Sequence, residues 1–389
     1  MTELLNQGAY GCLYHPGMEC SGKIMHDRRY ATKLVVPDEV AENEVAVGDI
    51  VKGIANYGVN FVPVIDTCVV NLEKVHRNNP HVLDKCSIVP KKGKDKGKDR
   101  GKDKGKDKGK EKEKFMLMKM PYIDSLYFYE YIGAMGDNKK KIISCIFDSY
   151  SYLIESIERL VAHEVVHYDL KMQNILMSLK TDTPIIIDFG LSILIQRLDQ
   201  GDRFWGTYFY KYSPEYYVWP LEAHVINFLQ NATHLSREDV TSICETFVNA
   251  NAALRIFSKG FRARYLKACI EQYEPWIGIA RDAVCVALLN GWPTWDNYSL
   301  SVAYLQILGF ISEAGFTNNH LIIQYVQLLL TNMHPDPARR KTVGDTKRAF
   351  TDLFYMNETV EAYDSLVSNF NTDFFTQTTI ALSRDSLRP

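Results

Sequence analysis

Two polar motifs in the middle of the chain constrain its fold more than any other feature of the sequence. The first, HYDLKMQN at 167–174, lies between two apolar stretches. The second, DFG at 188–190, ends the apolar run 183–187, which predicts a short buried strand followed by a turn. We therefore expect two loops that lie beside one another and carry polar side chains.

Together these loops supply two carboxylates and one amide, Asp169, Asn174 and Asp188. Magnesium prefers such oxygen ligands and is usually bound together with substrate phosphates. In phosphoryl transfer the protein contributes mainly positioning and charge neutralisation. On this interpretation Asp169 accepts the proton of a substrate hydroxyl, and Lys171 stabilises the γ-phosphate. Asn174 and Asp188 then hold magnesium.

The first third of the chain contains parts that suit a bound nucleotide. The small residues of NQGAYG at 6–11 separate two predicted strands, so their backbone N–H groups can fold over phosphates. Lys33 ends the motif ATK on the predicted strand 30–36, where it can meet the α- and β-phosphates. Buried strands are also predicted over 61–70 and 115–120.

An ion-pair partner for Lys33 is expected on the helix predicted over 38–54. Glu44 is the first choice, and Glu39 and Glu42 remain alternatives because they lie on the same segment. The sequence therefore predicts one ion pair between a strand and a helix in this part of the chain.

These motifs, in this order, resemble those of the eukaryotic-type protein kinase family. The resemblance covers about 6–340, most of the chain, and the ordered set is far more specific than any single motif. The form DLKMQN, with Lys171, is typical of serine/threonine kinases. The resemblance implies a serine/threonine protein kinase that transfers the γ-phosphate of ATP to protein hydroxyls, with Mg²⁺ or Mn²⁺ as its metal.

Three later motifs extend the resemblance. YSPE at 212–215 follows the DFG motif by the length of an activation segment. In WDNYSLSVAYLQ, Asp296 corresponds to the residue that braces the backbone of the catalytic loop. In HPDPARRKT, Arg340 corresponds to the buried partner of Glu215.

The resemblance also implies site residues. Four carry catalytic roles: Asp169, Lys171, Lys33 and Glu44. Two hold the metal: Asn174 and Asp188. The residues expected to contact ATP lie in the glycine-rich loop and on the strands around it: Asn6, Gly8, Tyr10, Gly11, Leu13, Tyr14, Lys33, Met118 and Met120.

The fold implied by the resemblance is α+β, a two-lobed protein-kinase-like fold over 1–345. A small antiparallel β lobe with one helix is expected over about 1–120, and a larger, mainly helical lobe over about 121–345. The larger lobe would contain a helical insert at 219–290, and residues 346–389 would form a C-terminal tail. The longest predicted amphipathic helix spans 139–166.

Two departures from the family pattern carry information. Asn6 stands at the first glycine position, and we expect the loop to survive because asparagine tolerates positive φ better than other non-glycine residues. Tyr168 replaces the arginine that, in the family, docks a phosphorylated activation loop. We therefore expect an enzyme that is active without phosphorylation of that loop.

A narrower resemblance concerns the source of the protein. The stretch SPEYYVWPLE at 213–222 and the helical insert look similar to kinases of large nucleocytoplasmic DNA viruses, including giant viruses. For such a protein the expected location is the host cytoplasm or the virion.

A lysine-rich block at 91–114 repeats the unit KGKD. It holds 13 basic and 6 acidic residues, so its net charge is +7 and the rest of the chain carries −9 of the total −2. The block has no apolar side chain to bury, which predicts a disordered loop between two strands. It could neutralise nucleic-acid phosphates, but it lacks aromatic side chains for base stacking, so a solvated spacer is favoured.

Two further functions remain as alternatives. The first is a pseudokinase scaffold, which the intact Lys33, Asp169, Asn174 and Asp188 argue against. The second is a small-molecule kinase of the aminoglycoside type, which shares the pattern HxDxxxxN and a metal-binding aspartate. The SPE and DPxxR motifs favour a protein substrate instead.

Eight cysteines are scattered along the chain without a CxxC pair, which disfavours a zinc ribbon or a thioredoxin-like site. We expect free, mostly buried thiols in a reducing compartment. The N-terminus lacks an apolar signal segment, and no apolar run is long enough to span a bilayer. The sequence therefore predicts a cytoplasmic protein without a membrane partner and leaves its oligomeric state open.

Overall fold

The computed structural model describes residues 2–8, 11–89, 114–198, 202–311, 319–354 and 359–370. The chain divides into two compact units. Unit 1 comprises Met1–Lys52 and Val62–Ile123, and unit 2 comprises Gly53–Phe61 and Asp124–Arg388. The lysine-rich block lies outside the described residues except for Lys114, so its disorder stays a prediction.

Unit 1 is built on a five-stranded antiparallel sheet. Its elements are β1 (Glu3–Gly8), β2 (Gly11–His15), β3 (Tyr30–Val35), α1 (Glu39–Gly53), β4 (Asp66–Val70), α2 (Leu72–Asn78) and β5 (Phe115–Pro121). The strand order is β1-β2-β3-β5-β4. On one side of this sheet Tyr14, Leu34 and Phe115 lie in a buried apolar cluster.

The predicted elements of unit 1 agree with the structure except at β4 and in the number of helices, because α2 adds a second helix to the one that was expected. The strands predicted over 30–36 and 115–120 and the helix predicted over 38–54 are confirmed within one or two residues. The strand predicted over 61–70 is too long, because only Asp66–Val70 pairs with β5 and Phe61 belongs to unit 2.

Four of the eight cysteines form two disulfides, both within unit 1. Cys12–Cys86 joins β2 to the segment after α2, and Cys20–Cys68 joins the β2–β3 connection to β4. The prediction of free thiols is wrong for these four and correct for the others: Cys145, Cys244, Cys269 and Cys285. Because structural disulfides form in oxidising environments, the cysteines no longer argue for a reducing compartment.

Loss of the Cys12–Cys86 crosslink is expected to destabilise unit 1. The two cysteines are 74 residues apart, so the crosslink restricts a long loop of the unfolded chain. Cys86→Ser should lower the free energy of unfolding by about 2–4 kcal/mol in thermal denaturation. The control is Cys145→Ser, which removes a free thiol from unit 2. If dithiothreitol leaves the melting temperature of the wild type unchanged, the crosslink is not stabilising as described.

Unit 2 is mainly helical, with short strands in its first part. Its elements are β6 (Ser125–Tyr127), α3 (Phe128–Gly133), α4 (Lys139–Ala162), β7 (Val165–Val166), β8 (Ile175–Ser178), β9 (Pro184–Ile186), β10 (Ile193–Leu194), α5 (Ile195–Leu198), α6 (Asp202–Tyr208), α7 (Leu221–Leu229), α8 (Arg237–Ala250), α9 (Lys259–Tyr273), α10 (Arg281–Leu289), α11 (Trp295–Ile311), α12 (His320–Asn332), α13 (Val343–Asp352) and α14 (Thr359–Asn369). With the sheet of unit 1, this composition agrees with the expected α+β class.

Two small antiparallel ladders position the loops of unit 2. One pairs β7 with β10, and the other has the order β6-β8-β9. The helix predicted over 139–166 is too long: α4 ends at Ala162, because Glu164 has a φ of 56° and the next two residues pair with β10. The chain therefore enters the first polar motif from a strand and not from a helix.

The segment 219–290 is helical as predicted, since α7 to α10 lie within it. Its location beside a peptide-binding surface stays a prediction. Part of the predicted tail packs on unit 2, because the Tyr363 hydroxyl lies 2.6 Å from the Ser144 Oγ and Phe370 is 1% exposed. Residues 371–389 lie outside the described part of the chain. None of the described helices is long and apolar enough to cross a membrane.

Candidate active site

An ion pair joins Lys33 on β3 to Glu44 on α1 within unit 1. The Lys33 Nζ donates to the Glu44 Oε2 at 2.8 Å and to its Oε1 at 3.0 Å. The two side chains are 15% and 6% exposed, so the pair is largely shielded from water. Of the three acidic residues that the sequence offers, Glu44 is therefore the one that contacts Lys33. Its catalytic role stays a prediction.

A row of side chains crosses the sheet at Lys33. Leu13 on β2 and Met118 on β5 lie directly opposite Lys33 in register, so all three share one face. Met120 lies two residues further along β5 and shares this face as well. The expected nucleotide contacts of these residues therefore lie on one side of the sheet.

Tyr14 does not belong to this row. It follows Leu13 on β2, so it points to the opposite face of the sheet, where it is fully buried in the core. Burial raises the pKa of its phenol to about 12. The prediction that Tyr14 contacts the nucleotide is therefore wrong, because the alternation along a strand separates it from Lys33.

The glycine-rich loop connects β1 and β2. Gly8 and Gly11 face each other as the last register pair of the two strands, and Tyr10 lies outside the described residues. Asn6 lies within β1 without a positive φ, and its Oδ1 accepts a hydrogen bond from the Gln7 N–H at 2.8 Å. The tolerance of asparagine for positive φ is therefore not needed at this position.

Gly11 has a packing role that the sequence does not reveal. A Cβ atom there would lie 2.7 Å from the Leu34 carbonyl oxygen and 2.9 Å from the Val35 Cγ1. A Cβ at Gly8 would meet no atom within 4 Å. The close approach of β2 to β3 thus requires glycine at 11 but not at 8.

In unit 2 the first polar motif is held by Asp296 at the start of α11. Its Oδ2 accepts from the His167 N–H at 2.7 Å, and its Oδ1 accepts from the Tyr168 N–H at 3.0 Å. Burial raises the pKa of the Asp296 carboxyl, and the hydrogen bonds from the loop act in the opposite direction. Tyr168 has a φ of 66°, which is uncommon for a non-glycine residue. The predicted bracing role of Asp296 is confirmed.

His167 connects the first polar motif to the second. Its ring is fully buried and contacts the Phe189 ring edge to face, with centroids 5.1 Å apart. The Nε2 lies 3.0 Å from the Ile187 carbonyl, which can only accept, so Nε2 carries the proton. The Nδ1 accepts from the Asp169 N–H at 3.3 Å. The imidazole therefore fixes the backbone on both sides of the site.

The Asp169 carboxylate is held by three neighbouring side chains. The Asn174 Nδ2 donates to its Oδ2 at 2.9 Å and to its backbone carbonyl at 2.9 Å. The Lys171 Nζ lies 3.0 Å from the same Oδ2. The Tyr216 hydroxyl donates to Oδ1, a contact that sequence reasoning missed. These bonds hold the buried carboxylate in one orientation.

The β8–β9 ladder brings Asn174 and Asp188 close together. Asn174 directly precedes β8, and the Ile187 N–H donates to its carbonyl oxygen at 3.0 Å, one residue before Asp188. Asp188 is exposed and has a φ of 65°, whereas Phe189 behind it is buried. The two residues that the sequence assigns to the metal therefore lie on adjacent backbone segments.

The donor set at this point fits Mg²⁺. Asn174 uses its Nδ2 toward Asp169, so its Oδ1 is the side-chain atom that would bind a cation. Among the described residues, no group of three or more His, Cys, Asp or Glu side chains is arranged to hold a metal alone. A cation held by Asn174 and Asp188 would therefore depend on substrate phosphates for its remaining ligands, as Mg²⁺ commonly does.

The buried partner of Arg340 is Glu222 and not Glu215. Arg340 donates from Nη1 to the Glu222 Oε1 at 2.6 Å and from Nη2 to its Oε2 at 2.9 Å, and both side chains are almost fully buried. Glu215 is exposed. The prediction was wrong because two Pro-containing motifs end in glutamate, and only WPLE at 219–222 leads into a helix.

Tyr168 packs on the Trp219 side chain, which sequence reasoning also missed. The two rings stack with centroids 4.6 Å apart and planes 14° apart. The Trp219 Nε1 donates to the Tyr168 carbonyl at 2.5 Å, and the Asn227 Nδ2 donates to the Tyr168 hydroxyl at 3.1 Å. Tyr168 is thus bound to Trp219 and Asn227 through ring packing and neutral hydrogen bonds.

A family model for the protein kinase domain matches residues 109–272. This range contains both polar motifs and Glu222, but it excludes the Lys33–Glu44 pair, Asp296 and Arg340. The match supports a protein kinase family and, with it, phosphoryl transfer to proteins in general. No curated protein matches the chain significantly.

Proposed function

We propose that this protein is a protein kinase that transfers the γ-phosphate of ATP to serine and threonine hydroxyls with the aid of Mg²⁺. The observation that carries the proposal is the environment of Asp169. Asp169 as a residue is 7% exposed, and its carboxylate bonds to Asn174 and lies 3.0 Å from the Lys171 ammonium. A fixed carboxylate beside a cation-binding pair is the arrangement that phosphoryl transfer to a hydroxyl requires.

Each residue has a chemical role in the proposed reaction. Asp169 orients the acceptor hydroxyl and takes its proton while the oxygen attacks the γ-phosphorus and ADP leaves. The Lys171 ammonium compensates the negative charge on the transferred group. Asn174 and Asp188 would hold Mg²⁺, which neutralises phosphate charge.

The Lys33–Glu44 pair supports the ATP part of the proposal. Lys33 would bind the α- and β-phosphates, and Glu44 keeps its ammonium in one position. Because the pair is largely shielded from water, the lysine side chain is ordered before the nucleotide binds.

The acceptor residue can be identified with a peptide library. Lys171, two residues after Asp169, is typical of serine/threonine kinases and supports the proposed specificity. The purified full chain, incubated with ATP and Mg²⁺, should phosphorylate peptides at serine or threonine. Tyrosine as the main acceptor would contradict the specificity, and no transfer to any peptide or protein would contradict the kinase assignment.

Activity without phosphorylation of the activation segment is also part of the proposal. Tyr168 cannot form a bidentate pair with phosphate, and its ring already packs on Trp219. Phe209 in the activation segment is fully buried and contacts the rings of Tyr168 and Trp295. These contacts support a segment that is anchored by aromatic burial.

Treatment with a broad phosphatase is therefore expected to leave the rate on an added protein substrate within about threefold of the untreated rate, since Tyr168 stands in place of the arginine that would dock a phosphate. The measurement compares initial rates of the same preparation before and after treatment. The control is a mock treatment with heat-inactivated phosphatase. Loss of most activity, with recovery on incubation with ATP, would contradict this part of the proposal.

A viral origin is a further proposal, which rests on the likeness of SPEYYVWPLE and the helical insert to kinases of large nucleocytoplasmic DNA viruses. Such a protein would act in the host cytoplasm or be packaged in the virion. Mass spectrometry of purified virions from cells that produce the protein would test the second location.

A further inference from the structure

Tyr216 lies on the Asp169 carboxylate. Its hydroxyl donates a hydrogen bond to the Asp169 Oδ1 and accepts one from the Lys171 Nζ at 3.2 Å. The Lys171 ammonium also lies 5.6 Å from the centre of the Tyr216 ring. The Tyr216 hydroxyl thus contacts both Asp169 and Lys171. In the proposed function Asp169 acts on the acceptor hydroxyl and Lys171 on the transferred phosphate.

The tyrosine leaves little room for another hydroxyl at Asp169. The Oδ2 of the carboxylate is occupied by Asn174 and Lys171, so Oδ1 is the oxygen that remains for an acceptor. The Tyr216 hydroxyl occupies Oδ1, and the Asp169 side chain as a whole is only 10% exposed. A substrate hydroxyl and Tyr216 would therefore compete for the same oxygen.

The hydroxyl of Tyr216 is a stable donor in this position. Burial, followed by the neighbouring Asp169 carboxylate, raises the pKa of its phenol well above the ordinary value. The group therefore stays protonated, and a protonated hydroxyl on a carboxylate has the same hydrogen-bonding pattern as a serine or threonine acceptor.

We propose that Tyr216 occupies the acceptor position of the active site as an intramolecular substrate mimic, and that a protein substrate binds by displacing its hydroxyl from Asp169. The inference rests on the proposed kinase function and adds the residue that controls access to its acceptor position. Displacement would exchange one hydroxyl for another on the same oxygen. The apparent affinity for the protein substrate is then reduced by the fraction of molecules in which Tyr216 is bound.

The segment around Tyr216 is suited to such a displacement. It lies between two buried anchors, Phe209 and Trp219, which are 0% and 4% exposed. Between them only Pro214 is buried, whereas the other side chains are exposed or partly exposed. Tyr216 itself ends a tight turn in which its N–H donates to the Ser213 carbonyl at 2.9 Å. A change in this turn can move the hydroxyl while both anchors stay in place.

The test compares Tyr216→Phe with Tyr217→Phe. The first change removes the hydroxyl from Asp169 and keeps the ring, which packs edge to face on Trp219. The second removes the hydroxyl of the next tyrosine, which accepts from the Gln306 Nε2 at 2.9 Å and does not contact Asp169. Steady-state rates of the full chain are measured in two series. In the first the concentration of the protein substrate is varied at saturating ATP, and in the second the concentration of ATP is varied at saturating protein substrate.

Tyr216→Phe is expected to raise kcat/KM for the protein substrate about tenfold, because a hydrogen bond to a charged group no longer competes. The gain should come from a lower KM for the protein substrate, with the KM for ATP unchanged. Tyr217→Phe should behave as the wild type. A lower kcat for Tyr216→Phe, or no change, would overturn the inference and identify Tyr216 as a residue that positions Asp169 or only stabilises the fold.

The same experiment separates this inference from the proposed function. If the wild type transfers phosphate but Tyr216→Phe brings no gain, only the substrate-mimic role is wrong. If neither the wild type nor either variant transfers phosphate to protein, the kinase function itself is wrong, and the role of Tyr216 falls with it.

Discussion

Asp169→Asn is expected to lower the rate of phosphoryl transfer about 10²–10⁴-fold, the usual contribution of a general base. Asparagine has nearly the same shape and can still accept a hydrogen bond from the Asn174 Nδ2, which lies 2.9 Å from the Asp169 Oδ2. It cannot take the proton of the acceptor hydroxyl, and it cannot form an ion pair with Lys171. The loss should therefore appear in kcat while the fold is retained.

Two measurements make this result specific. Calorimetric titration should show that the Asp169→Asn variant binds ATP with nearly the affinity of the wild type, because the proposed role of Asp169 is to act on the acceptor hydroxyl. The control is Asp282→Asn on α10, where the aspartate side chain is 83% exposed. If Asp169→Asn transfers phosphate at the wild-type rate, or if Asp282→Asn loses activity to the same degree, Asp169 is not the base.

Glu222→Gln is expected to lower the free energy of unfolding by about 3–5 kcal/mol, because it leaves the buried Arg340 without its counter-charge. The Arg340 and Glu222 side chains are 1% and 0% exposed, so water cannot replace the lost partner. Arg340 also donates from Nε to the His334 carbonyl at 2.8 Å, which keeps the guanidinium in its buried position after the substitution. Chemical denaturation monitored by circular dichroism measures the change.

The matched control is Glu215→Gln, since Glu215 is the residue that the sequence pattern favours as the partner. Glu215 is exposed, and its substitution should change stability by less than about 0.5 kcal/mol. The double variant Glu222→Leu/Arg340→Met should be less destabilised than the sum of its single changes, because it removes both buried charges. If Glu215→Gln lowers the free energy of unfolding and Glu222→Gln leaves it unchanged, the assignment of Glu222 as the partner of Arg340 is contradicted.

The contacts in the site that the sequence predicts correctly are mostly those between residues that lie close together along the chain. His167, Asp169 and Asn174 lie in one loop, so the offsets along the chain nearly determine which side chains meet. The contact of Asp296 with the backbone of His167 and Tyr168 can also be predicted from the sequence, because Asp296 lies in a distinctive motif. Lys33 and Glu44 are close in sequence and lie on one strand and the following helix.

The parts that the sequence does not predict depend on long-range packing. Glu215 and Glu222 carry the same chemistry, and only the burial of α7 shows which of them meets Arg340. The disulfides depend on the strand order of unit 1, which brings together cysteines 48 and 74 residues apart. Tyr216 belongs to an aromatic-rich segment, and no pattern in that segment distinguishes the one hydroxyl that contacts Asp169.

The most direct test of the central claim is the transfer of labelled phosphate from ATP to protein by the purified full chain. The wild type should label a generic protein substrate in a reaction that requires Mg²⁺. Lys33→Met should lose this transfer because Lys33 is the proposed cationic partner of the α- and β-phosphates, and Asp169→Asn should lose it because Asp169 is the proposed base. Wild-type protein that binds ATP but labels protein no faster than Asp169→Asn would contradict the account and would favour the alternative of a pseudokinase scaffold.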